Sequence, residues 1–348
     1  MKISHFVLAS LFTSSLSFLS NQANAKNAWQ IIPSGTTMQL RGLSVVNKKI
    51  AWASGMQGTV LKTVDGEQWI SMQVPGSEAL DFRDVEGFND KVAIAMSAGP
   101  GEASRIYKTI DGGTNWKLQI TNPDKEGFWD AMAFWDAKHG MVFGDPVNGK
   151  FQVYTTEDGG DTWQAIEGPA ALPNEGGFAA SGTCLSVSGK TDVWFATGGA
   201  AISRVLHSTD RGKTWSASNT PLPANAPPKG LFSVVFRNAL EGIAVGGDYT
   251  QANSDSLNAV ISKDGGKSWQ ATKILPQGFL SVVVTVPRAA QTYVVAGLAG
   301  SRYTVDAGLT WIEMDATPIN TVGFADPEHG WAIGPKGLLM KFVGKALK

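Results

Sequence analysis

Short apolar runs separated by polar, glycine-rich turns fill this chain, and no long stretch carries the periodicity of an amphipathic helix. One series of runs closes on glycine: residues 51–55 (Ala-Trp-Ala-Ser-Gly), 140–144, 193–198, 242–246, 293–297 and 330–334, with 92–95 as a copy lacking the glycine. A second series follows each of these, at 60–63, 106–109, 153–156, 205–208 and 260–262. A third precedes them, as in Leu43-Ser44-Val45-Val46 and residues 232–236. Runs of this length and composition predict strands, and their regular order predicts a repeated antiparallel meander.

The second series runs into one polar motif: T-I-D-G-G-T-N-W (109–116), T-E-D-G-G-D-T-W (156–163), S-T-D-R-G-K-T-W (208–215), S-K-D-G-G-K-S-W (262–269), T-V-D-A-G-L-T-W (304–311) and a shortened T-V-D-G-E-Q-W (63–69). Its aspartates, Asp65, Asp111, Asp158, Asp210, Asp264 and Asp306, recur about every 48 residues, the period of a β-propeller blade. The chemistry of the motif is that of a turn. The carboxylate accepts backbone N–H groups further along, glycine supplies a positive φ, and the tryptophan packs as the next strand starts. A calcium loop needs further oxygen ligands at alternating positions, which these turns lack, so the six aspartates are structural and no metal is expected.

The three inner strands occur seven times but the aspartate turn only six, because the last unit, 320–343, stops short of it. The stretch Ala28-Trp29-Gln30-Ile31-Ile32-Pro33 matches Gln68-Trp69-Ile70-Ser71-Met72 in kind. The sequence therefore predicts an all-β, seven-bladed propeller of four-stranded blades. The N-terminal strand completes the last blade and closes the ring, which removes free sheet edges.

Composition sharpens this picture at the N-terminus. Lys2 and His5 precede an apolar run at 6–19 and an Ala23-Asn24-Ala25 pattern, the layout of a secretory signal peptide. The expected organisation is a signal peptide over 1–25, cleaved near Ala25, and one propeller domain over 26–348, periplasmic or secreted, without membrane insertion and monomeric. A net charge of −1 favours neither nucleic acid nor an anionic membrane. The single cysteine, Cys184, lies in an apolar strand pattern with no histidine near it in sequence and reads as a buried, inert thiol. His139 and His329 occupy equivalent turns, and no His or Cys pair has the spacing of a transition-metal site. No nucleophile elbow or phosphate-binding loop is present, and no cofactor is expected.

Candidate chemistry lies where the repeat is broken. The turns between second and third strands, and the lead-ins to the innermost strands, share the face opposite the aspartate turns. They carry Arg41, Arg83, Trp129, Asp130, Asp145, Asp248 and Tyr249, and with Arg204, early in a third strand near the same face, these form a candidate rim for a polar ligand. Solvated ion pairs such as Arg83 with Asp84 or Asp130 are the plainer alternative for these charges.

The turns are Asp-boxes, or BNR repeats, and the chain resembles the photosystem II stability/assembly factor-like family of exported propellers through its blade formula W-A-x-G…(I/L)-x-(K/T)-T-x-D-G-G-x-x-W. That resemblance implies a non-enzymatic scaffold that binds a protein; a glycan is the other ligand class the rim could serve. Asp-boxes also occur in six-bladed sialidases, which clamp a carboxylate with three arginines. Arg41, Arg83 and Arg204 could supply these, although the Arg-Ile-Pro motif is absent. On that alternative the chain is a glycoside hydrolase, with Asp130, Asp145, Glu175 and Asp248 as candidate catalytic carboxylates.

Overall fold

The computed structural model describes residues 28–347; the expected signal peptide and its cleavage site lie outside them. Seven four-stranded antiparallel sheets are arranged as the blades of a propeller. Blade 1 runs Leu40–Val45, Ala51–Gly55, Thr59–Thr63 and Trp69–Gln73, from the innermost strand outward. Blades 2 to 6 repeat the pattern from innermost strands Phe82–Gly87, Trp129–Phe134, Leu185–Ser188, Lys229–Phe236 and Leu280–Thr285. Blade 7 contributes Thr321–Asp326, His329–Ile333 and Leu339–Phe342, and its outermost strand is Trp29–Ile31. Trp29 stands opposite Phe342 and Ile31 opposite Met340, so the ring closes as the sequence predicts.

The hydrophobic core is divided among the junctions between blades. Each of seven clusters joins one blade to the next, and the cluster of Leu40, Trp69, Trp331 and Ile333 joins blade 7 to blade 1. The second-strand tryptophans explain their shared register here. Trp52 donates to the Asn89 carbonyl and meets Trp116 edge-on; Trp194 donates to the Gly265 carbonyl and stacks on Phe236; Trp331 packs edge-on against Trp69. Each ring reaches from its own blade into the following one and buries the large apolar area that makes aromatics dominate cores.

The Asp-box turns are self-contained. Asp158 Oδ1 accepts from Thr156 Oγ1 at 2.8 Å and from the Thr162 amide at 2.9 Å, while Oδ2 accepts from Thr162 Oγ1 at 2.6 Å. Gly160, at φ +84°, donates its amide to Thr156 Oγ1. These donors hold the Asp158 carboxyl down to about 2. Among the described residues no group of three or more His, Cys, Asp or Glu side chains could hold a metal ion.

Candidate functional site

A repeated backbone irregularity builds the site. In five blades the pairing of the innermost strand with the second skips one residue: Arg41, Arg83, Asp130, Phe232 and Ser281. Such a bulge bends its strand and re-aims the extra side chain. All five line one cavity of about 450 Å³ at the mouth of the central channel, at the strand ends remote from the Asp-boxes. Asn320, just ahead of the innermost strand of blade 7, lines it too. The buried residue before each bulge (Leu40, Phe82, Trp129, Leu231 and Leu280) enters the core instead.

Blade 4 departs from this pattern. Its lead-in, residues 176–183, lies across the channel and is tied to its neighbours on several sides. Arg41 Nη1 reaches the Ala180 carbonyl at 3.5 Å, and Arg83 Nη1 reaches that of Ala179 at 3.3 Å. The Gly177 amide donates to Asp145 Oδ1 at 2.8 Å, and Ser181 Oγ donates to the Ser281 carbonyl at 2.8 Å. The hydroxyls of Thr183 and Ser233 are 2.7 Å apart. Gly182, at φ +72°, passes so close to Asp84 that a Cβ would lie 2.4 Å from its carboxylate oxygen. The segment thus contacts five other blades and forms the cavity floor.

The cavity has three chemically distinct walls. The cationic wall is Arg41 and Arg83, which share Asp81 as counter-ion, with Arg83 Nε 2.8 Å and Arg41 Nε 3.9 Å from Asp81 Oδ2. Burial, then the neighbouring Arg83 charge, lowers the pKa of the Arg41 guanidinium. The aromatic wall is Phe178 stacked on Phe232 (3.7 Å between centroids), with Phe279 and Tyr249 edge-on to Phe232. The acidic wall is Asp130 and Asp145. Burial raises the pKa of both, and that of Asp130 stands well above the carboxylate range through burial first and the neighbouring Asp145 charge second, with Arg83 opposing.

Four of the side chains expected at the rim lie elsewhere. Trp129 is fully buried in the junction of blades 2 and 3, edge-on to Tyr154, because it precedes the bulge. Arg204 and Glu175 pair with each other: Arg204 Nε is 2.8 Å from Glu175 Oε1, which also accepts from Thr197 Oγ1, and Oε2 accepts from the Leu172 amide. Arg204 borders a separate groove beside Pro169 and Trp215. The three arginines therefore do not converge. Asp248 caps its own turn through the Thr250 amide and hydroxyl and does not line the cavity. Arg41, Arg83, Asp130, Asp145 and Tyr249 do come together there. Arg83 pairs with Asp81 rather than with Asp84 or Asp130. Cys184 is buried, and burial pushes its thiol well up, as expected of an inert side chain.

Phe178, Phe232, Phe279, Ser281 and Asn320 were not legible as site residues while each was weighed alone. Aligning the repeats on the residue after the last buried position of each lead-in finds Phe232, Ser281 and Asn320 beside Arg41, Arg83 and Asp130.

A further carboxyl lies on the innermost strand of blade 2. Burial pushes Glu86 up to about 7, opposed by the Ser44 hydroxyl. A carboxyl with a raised pKa binds its proton more tightly folded than unfolded, so its contribution favours the fold at low pH and is lost as pH rises from the unfolded value toward 7. Urea midpoints of Glu86→Gln should therefore fall less between pH 5 and pH 8 than those of the parent; equal slopes would exclude Glu86 as a source.

A family model described as BNR/Asp-box repeat matches residues 206–217. The chain is 29% identical over 183 residues to the photosystem II assembly lipoprotein Ycf48 of Picosynechococcus sp., covering 51% of this chain and 47% of that protein. It is 22% identical to the photosystem II assembly protein Ycf48 of Synechococcus sp., over 84% of this chain and 81% of the relative. It thus spans about half the length of the first of these relatives and most of the second. Among solved structures, YCF48 bound to a D1 peptide superposes with a TM-score of 0.66 at 18% identity, covering 92% of this chain and 96% of that one. YCF48 from Cyanidioschyzon merolae gives 0.63 at 18%, covering 90% and 98%. The chain is an Asp-box propeller that resembles these assembly factors in sequence and in fold.

Proposed function

We propose that this propeller is an exported, non-enzymatic assembly factor that captures a peptide segment of a partner protein in the cavity at its channel mouth. The observation that carries the reading is the cavity itself, with Arg41 and Arg83 beside an aromatic wall of Phe178, Phe232, Phe279 and Tyr249. The two guanidiniums share one carboxylate, Asp81, so the cationic wall holds a surplus positive charge for a ligand carboxylate. The aromatic faces offer burial to an adjoining apolar side chain. Likeness to Ycf48 proteins, one of them solved with a D1 peptide, supports a protein rather than a glycan as the partner. No photosynthetic role is implied.

Selection from a displayed random-peptide library tests this. The wild-type propeller should enrich sequences that place an acidic group next to an aromatic or large aliphatic residue. Arg41→Gln/Arg83→Gln should lose that enrichment by about tenfold or more, because hydrogen bonds to charged groups are worth about 1.5–3 kcal/mol, while still unfolding in one cooperative transition. Equal enrichment by the double variant would remove the site from this cavity.

A further inference from the structure

The acidic wall is unexplained by the capture of a carboxylate. Asp130 lies in the bulge of its innermost strand and Asp145 at the far end of the neighbouring strand Gly140–Val147, and both line the cavity. Asp130 is only 1% exposed, and its Oδ2 has no donor from the protein. The nearest cation does not serve it, since Arg83 directs Nε to Asp81 and Nη1 to the Ala179 carbonyl. Asp145 receives one amide, from Gly177. A buried carboxyl without a donor is costly to retain, and functional sites are where such groups gather.

We propose that Asp130 and Asp145 form a second subsite that receives a cationic group of the bound peptide, an ammonium or a guanidinium. This rests on the reading of the cavity as a peptide site and narrows its ligand to one with separated positive and negative groups. In the unliganded protein burial, with the neighbouring Asp145 charge, favours the neutral, protonated form of Asp130. An entering cation takes the place of that proton, which leaves to solvent. The other ionisable groups facing the pair are Arg83 and the Cys184 thiol; the covering segment, residues 176–183, carries none. The Phe178 and Phe232 rings line the same cavity and suit the flat face of a guanidinium.

Titration calorimetry with Nα-acetyl-arginine amide and its neutral isostere, Nα-acetyl-citrulline amide, tests the subsite directly. The arginine amide should bind about tenfold or more tightly than the citrulline amide. Its heat should vary with the ionisation enthalpy of the buffer, as proton release requires, and Asp145→Asn should abolish both differences. Equal binding of the two amides, or buffer-independent heats, would overturn the proposal, and neither readout depends on a variant that folds. If the amides fail to differ while selection of acidic peptides still depends on Arg41 and Arg83, the acidic subsite alone falls. If that selection fails while arginine amide binds through Asp145, the subsite stands and the peptide reading falls.

Discussion

Replacing Trp29 with alanine should lower the free energy of unfolding by about 3–5 kcal/mol, the range for removing a buried tryptophan. The indole is 5% exposed, donates Nε1 to Ser301 Oγ at 3.0 Å in blade 6, and meets Phe342 and Phe324 at 5.4 and 5.8 Å between centroids. It therefore binds the closing strand to the last blade and that blade to its neighbour. Ile31, two residues along the same strand, is 68% exposed. Ile31→Ala should change stability by less than about 0.5 kcal/mol. Chemical denaturation of both variants separates a loss confined to the tryptophan from a general weakness of the strand; similar small losses would mean that Trp29 does not carry the closure.

The second large effect concerns Glu175 and Arg204. The Glu175 side chain is fully buried and that of Arg204 is 12% exposed, so removing the carboxylate leaves a largely desolvated guanidinium without its partner. Glu175→Ala should cost about 3–5 kcal/mol, whereas Glu175→Met/Arg204→Leu should recover most of it, because the penalty lies in the uncompensated charge. The loss should reach beyond blade 4, since Glu175 also accepts from the Leu172 amide and Thr197 Oγ1 and anchors the start of the segment over the channel. Double-mutant denaturation decides the matter: additive losses would show that the pair contributes packing rather than compensation. The same measurement accounts for two residues expected at the rim. They serve to hold the cavity floor, not to face a ligand.

The ring and its closure were legible because each blade carries the same local chemistry. An Asp-box needs only its own residues, as Asp158, Thr156 and Thr162 show, so it leaves a full signature in sequence. Trp29 could be placed because it repeats the kind of strand seen at Trp69. The site was legible only in part. Arg41, Arg83, Asp130 and Asp145 stood out as charges, but Trp129 differs from Asp130 by one position, and the bulge that sends one inward and the other into the core is a property of pairing between strands. The segment at 176–183 was hidden for another reason. It belongs to blade 4 by sequence and is held by the other blades, through contacts that no local pattern encodes.

The pairing of Trp29 with Phe342 also orders events in time. During synthesis the first strand of the structure is made early and has no sheet to join until more than three hundred further residues have followed it. Blades 1 to 6 can each assemble from contiguous sequence, but the seventh waits for a distant partner, and long loop closures of this kind are slow. A chain lacking residues 28–32 therefore presents the open edge of Leu339–Phe342, and a short peptide copying those residues should compete for that edge when the full chain refolds and trap the ring one strand from completion.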